Sequence, residues 1–92
     1  MIKSIQHKGL SALFYADQTK GVKQSLVKRL RQILSLLNTA TVAEDMDIPG
    51  LRFHHLSGNL LGYYTVSVSG NWRVIFRFKD SHVTHVDLID YH

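Results

Sequence analysis

The chain has 92 residues, 45% of them hydrophobic and 20% charged, which suits one compact domain over 1–92 with a modest core and excludes a disordered polymer. Cysteine is absent, so neither a disulfide framework nor a thiolate metal site is available, and packing alone must hold the fold in a reducing cytosol. Eleven Lys and Arg against seven Asp and Glu leave a net charge of +4, and six histidines add to it on meeting a polyanion; the balance permits nucleic acid without specifying it.

Residues 2–6 alternate apolar and polar side chains and predict a short strand beside a later one. From Lys8, the apolar positions Leu10, Leu13 and Phe14 share one helical face, and residues 17–21 break the pattern, giving a short first helix. The strongest helical signal spans residues 22–37: Val22, Leu26, Leu30, Ile33 and Leu37 form one stripe, widened by Val27 and Leu34. Lys20, Lys28 and Arg31 lie away from that stripe, as a solvated face or as contacts to RNA phosphates. Thr41 with Glu44 has the spacing of a capping box for a short helical turn before Pro49.

After Gly50 the period changes to two. Tyr64, Val66 and Val68 alternate with Tyr63, Thr65 and Ser67 up to the turn Ser69, Gly70, Asn71. In the next strand Trp72, Val74, Phe76 and Phe78 point one way, towards the helices, while Arg73, Ile75 and Arg77 point the other and carry cations. A second tight turn at residues 79–81 leads into a last strand over residues 82–89. Helices followed by strands predict an α+β fold, with the N-terminal helices packed on one face of a twisted, mainly antiparallel sheet. No stretch approaches the roughly 20 apolar residues of a membrane span, and residues 1–6 have no apolar signal-peptide segment.

Several residues are equipped for chemistry on RNA. Arg73 and Arg77 are spaced for successive phosphates, although exposed strand positions are also commonly basic for solubility alone. Asp90, Tyr91 and His92 place an acid, a phenol and an imidazole at the end of the strand beside Arg73. Cleaving RNA requires a 2′-hydroxyl deprotonated, a phosphorane's charge stabilised and a 5′-oxygen protonated, tasks for imidazole and guanidinium. Of His54 and His55, one faces the core and the other the open face, and period alone does not say which. His82, His85 and His92 are badly spaced for one metal ion, because the first two project to opposite faces of a regular strand.

Read together, Leu56-Ser57-Gly58, Gly62-Tyr63-Tyr64-Thr65-Val66, Asn71-Trp72-Arg73-Val74-Ile75-Phe76 and Asp90-Tyr91-His92 resemble a HigB-type toxin of the RelE/ParE superfamily, over nearly the whole chain. The resemblance implies a RelE/ParE-like fold and a toxin of a type II toxin–antitoxin system. It implies a metal-independent, cofactor-free endoribonuclease that cuts messenger RNA in the A site of the ribosome, in the cytoplasm. It also implies a HigA-type helix-turn-helix antitoxin as partner, with operator DNA met only through that antitoxin. The active-site positions it implies are His54, Arg73, Asp90, Tyr91 and His92, while Arg77, Lys20, Lys28 and Arg31 are expected to bind RNA. Ser57 stands where relatives often carry a basic residue, which implies an altered RNA affinity or codon preference. Two other readings stay open at this point: a non-catalytic ParE-like toxin acting on DNA gyrase, which Tyr91, His92 and His54 disfavour, and an inactive antitoxin-binding module.

Overall fold

Two helices cover one face of an antiparallel sheet of order β1-β2-β3-β4 in the computed structural model, which describes residues 1–91. The helices are α1 (Lys8–Ala16) and α2 (Val27–Thr39); the strands are β1 (His54–His55), β2 (Tyr64–Ser69), β3 (Trp72–Lys79) and β4 (His82–Asp90). Leu10 and Leu13 of α1 and Leu30, Ile33, Leu34 and Leu37 of α2 meet Val66, Val68, Val74, Phe76, Val83, Val86 and Leu88 of the sheet in one apolar cluster. Each such side chain, fully buried, contributes roughly 1.5–3 kcal/mol, so the cluster dominates the stability of a domain without cross-links.

The helix boundaries show what local pattern omits. His7 caps α1, its Nδ1 accepting the Leu10 N–H at 3.1 Å, and Asp17 ends it in the left-handed region with φ 54°. The expected helix over 22–37 starts later: Val22 and Leu26 are buried as the stripe requires, but a single 3₁₀ turn, Gln24–Leu26, precedes α2. The chain must first turn back past α1, where Gly21 lies against Gly9 so closely that a Cβ on Gly9 would strike the Gly21 carbonyl. Thr41 and Glu44 do not form the capping box; the helical turn Ala43–Met46 is closed by Asp45, whose Oδ2 accepts from the N–H groups of Thr41 (2.9 Å) and Val42 (3.4 Å).

Residues 2–6 lie beside β4, as the alternation predicts, but as two parallel bridges, Ile2 to Val83 and Ile5 to Val86, rather than a continuous strand. Between the bridges the Ser4 hydroxyl accepts the His85 N–H at 2.8 Å.

Two irregularities set which side chains share a face. The β2–β3 hairpin pairs Ser69 with Trp72 across Gly70 and Asn71, and continued regularly it would set core-facing Val68 against outward-facing Arg73. A one-residue slip instead pairs Ser67 with Arg73. The β3–β4 hairpin turns through Asp80 (φ 52°) and Ser81 (φ 65°), both left-handed as a primed two-residue turn demands. Its pairing then shifts between Ile75 and Arg77, with His85 at φ 55° in the bulge, so that Val83 and Val86 both reach the core while Asp87 is set opposite Ile75.

Candidate active site

The sheet face turned away from the helices holds the candidate residues, and its centre is not open as expected. Thr65 and Ile75 face one another there and are 2% and 4% exposed. Around this buried floor the register sets His54 beyond Thr65 on β1, Asp87 beyond Ile75 on β4, and Arg73 and Arg77 on either side of Ile75 along β3. The result is a buried centre of Thr65 and Ile75 ringed by two guanidiniums, an imidazole and a carboxylate.

The ambiguity between the histidines is resolved by the pairing of β1 with β2. His54 opposes Thr65 and shares the Arg73 face, while His55 opposes Tyr64 on the helical side, with ring centroids 4.6 Å apart. The His54 Nδ1 lies 2.9 Å from the Arg52 carbonyl oxygen; as the donor to that carbonyl, it leaves Nε2 as the basic nitrogen. His54 and Arg73 are separated along the sheet by two strand spacings, about 9.5 Å, and one two-residue step of about 7 Å.

Arg73 is held over the β2–β3 turn. Its Nη1 donates to the Ser67 hydroxyl at 3.2 Å and to the Gly70 carbonyl at 2.9 Å, with a longer contact of 3.4 Å to the Trp72 carbonyl. Among the described residues these bonds all run through Nη1, and the guanidinium is fixed at a half-buried position where a phosphate would gain from its charge. Ser67 was not singled out in the sequence; the mismatch in phase between Val68 and Arg73 across a two-residue turn is the signal that places it.

Asp90 and Tyr91 close the Arg73 end of the sheet. Ile89 is the register partner of Arg73, and Asp90, opposite Trp72, is one residue out of phase with it, at the exposed margin. The Tyr91 N–H donates to the Asn71 carbonyl at 2.7 Å, so pairing with the β2–β3 turn continues past β4 and ties down a residue that remains 49% exposed. The expectation for His92 lies outside the described residues.

Arg77 contacts a loop: its Nη2 donates to the Leu61 carbonyl at 3.3 Å and its guanidinium lies 5.0 Å from the centre of the Tyr63 ring. Lys20, Lys28 and Arg31 belong to the helical layer, exposed and remote from this face, and Arg31 forms an ion pair with Asp17. Among the described residues no group of three or more His, Asp or Glu side chains is gathered as a metal site, and no helix is long and apolar enough to cross a membrane.

A family described as "RelE-like toxin of type II toxin-antitoxin system HigB" matches residues 3–92. The chain is 36% identical over 92 residues to the "Endoribonuclease HigB" of Proteus vulgaris, covering all of both chains. It is also 36% identical over 70 residues to the "Toxin HigB-1" of Vibrio cholerae serotype O1, covering 73% of this chain and 74% of that one. Among solved structures it is similar to the YoeB–YefM complex from Staphylococcus aureus, with TM-score 0.63, 17% identity and coverage of 100% and 98% of the two chains. A YafQ mutant from E. coli gives TM-score 0.58 and 19% identity over 96% and 91%. At those identities the structural matches establish the fold.

Proposed function

The chain belongs to the HigB family of RelE-like toxins of type II toxin–antitoxin systems, and on that footing we propose that it is an endoribonuclease that cuts messenger RNA in the A site of the translating ribosome. The observation that carries this reading is the placement of His54 and Arg73 on one sheet face, with the guanidinium pre-oriented by Ser67 and Gly70.

In the proposed reaction the 2′-oxygen attacks the adjacent phosphorus as its proton passes to a base, and a new O–P bond forms. The bond from phosphorus to the 5′-oxygen breaks, that oxygen takes a proton from an acid, and a 2′,3′-cyclic phosphate remains. Arg73 stabilises the charge on the phosphorane. His54 and His92 divide the base and acid roles, which are exchangeable between them. Tyr91 stacks on or orients a base, and Asp90, at the same end of the sheet, orients a histidine or accepts from an exocyclic amine. This scheme asks for no metal or cofactor.

The ribosome supplies position and binding energy, consistent with a shallow reactive face, so activity on free RNA is expected to be weak. Lys20, Lys28 and Arg31 are proposed to meet ribosomal RNA from the helical layer in a salt-dependent way. A toxin of this kind has an antitoxin partner; we assign that role to a HigA-type helix-turn-helix protein, and the site of action to the cytoplasm.

The test is induction of Arg73→Ala and His92→Ala variants with mapping of messenger RNA ends in translating extracts. Undiminished cleavage by both variants would remove the proposed site.

A further inference from the structure

Arg77 has the position of a second phosphate-binding arginine, two residues beyond Ile75 from Arg73 on the same face. Its surroundings are those of a clamp. The guanidinium donates to the Leu61 carbonyl, lies over the Tyr63 ring, and fills the space beneath Gly62. A Cβ on Gly62 would stand 2.5 Å from Nη2, and Gly62 has φ +93°, so both space and backbone conformation keep a side chain out.

The clamped segment has no other tie to β3 among the described contacts. Residues 57–63 close on themselves through Leu60 N–H to Ser57 (3.3 Å), Leu61 N–H to Gly58 (3.1 Å) and Tyr63 N–H to Leu60 (3.0 Å) around the 3₁₀ turn Gly58–Leu60. Such a loop, linked to the sheet mainly at its ends, is free to swing unless a side chain holds its crest. Arg77 reaches that crest from β3, beside the buried floor of the candidate site. Leu61, whose carbonyl is held, keeps its side chain 72% exposed at the rim, an apolar group presented to whatever binds the face.

We propose that Arg77 is a positioning residue: it fixes residues 57–62 as a wall of the RNA-binding face, and influences RNA through that wall rather than through a phosphate. The proposal rests on the nuclease reading for its substrate, while the clamp is a property of the free protein. Leu61 on the fixed wall gives an unstacked base an apolar surface, so the loop sets which nucleotide is accepted at the cut.

The experiment compares wild type, Arg77→Lys, Arg77→Ala and Gly62→Ala. Arg77→Lys keeps the charge without the planar fork, and Gly62→Ala keeps the arginine but denies it its seat. Hydrogen exchange of the free protein should show the Leu61 and Tyr63 amides exchanging at least about tenfold faster in all three variants, with amides of α2 unchanged. In translating extracts all three should spread the cut positions and raise KM more than they lower kcat. The salt dependence of binding to a single-stranded RNA oligonucleotide should keep its wild-type slope, whereas loss of a phosphate contact would reduce it by about 0.7.

Unchanged loop exchange in Arg77→Ala overturns the clamp. Wild-type cleavage by Arg77→Lys, a reduced salt slope in Arg77→Ala, or wild-type cut positions in Gly62→Ala each overturn the action through the wall. A wild-type protein that cuts no messenger RNA overturns the nuclease reading and the wall's role together, with loop exchange still deciding the clamp.

Discussion

Arg73 and Ser67 stand directly opposite one another on β3 and β2, and the arginine's Nη1 donates to the serine hydroxyl at 3.2 Å. The pair exists because the hairpin slips by one residue, and it turns a flexible cation into an oriented one. Removal of a preorganised charge-stabilising donor lowers kcat by about 10²–10³; Arg73→Ala is expected in that range, and Arg73→Lys close to it because an ammonium does not reproduce the fork. Ser67→Ala removes one anchor while the Gly70 carbonyl remains, and a loss of about 1 kcal/mol of orientation corresponds to roughly fivefold in kcat. Single-turnover cleavage on programmed ribosomes measures both.

The two adjacent histidines give opposite expectations. His54 shares the Arg73 face and His55 the helical side. His54→Gln should lower cleavage by roughly 10² or more, in line with loss of an acid–base group, and His55→Gln should stay near wild type. Primer extension on a translated message distinguishes them; equal losses would remove the assignment of His54.

Gly9 and Gly21 meet backbone to backbone, with no room for a methyl group on Gly9. Gly9→Ala should therefore separate α1 from the 17–23 connection, at about 1–3 kcal/mol of overpacking. For a domain of this size each kcal/mol lowers Tm by roughly 4–8 °C. Thermal unfolding followed by far-UV circular dichroism measures the shift.

Asp45 gives the acid limb of stability a specific origin. The Thr41 and Val42 N–H groups hold its carboxyl below the usual 3.8. Its contribution is fully present above the unfolded value near 3.8 and is lost as pH falls through the lower folded value. Asp45→Asn should flatten stability across that acid window while leaving the pH 6–8 region free of any new pH dependence. Urea unfolding at a series of pH values tests the sign, and an unchanged acid limb would refute it.

The order of the two helices and the three long strands was legible without coordinates because most of them rest on local periodicity. The α2 stripe, the alternation of β2 and β3, and both tight turns are local patterns, and they imply helices on one side of an antiparallel sheet. The candidate residues were singled out by type and by resemblance rather than by period, since Arg73, His54, Asp90 and Tyr91 bring chemistry that a core does not need.

Which of these residues share a face was decided by the tertiary structure. The slip before Trp72, the bulge at His85 and the pairing of β1 set the phases of Arg73, Asp87 and His54, and a shift of one residue sends every later side chain to the other face. The contacts of Gly9 with Gly21 and of Arg77 with residues 61–63 likewise join segments that no local pattern relates. Period two in the sequence determined that Arg73 and Arg77 lie on one side. Only the packed loop separated their surroundings, since a guanidinium's neighbours depend on which backbone the fold brings above it.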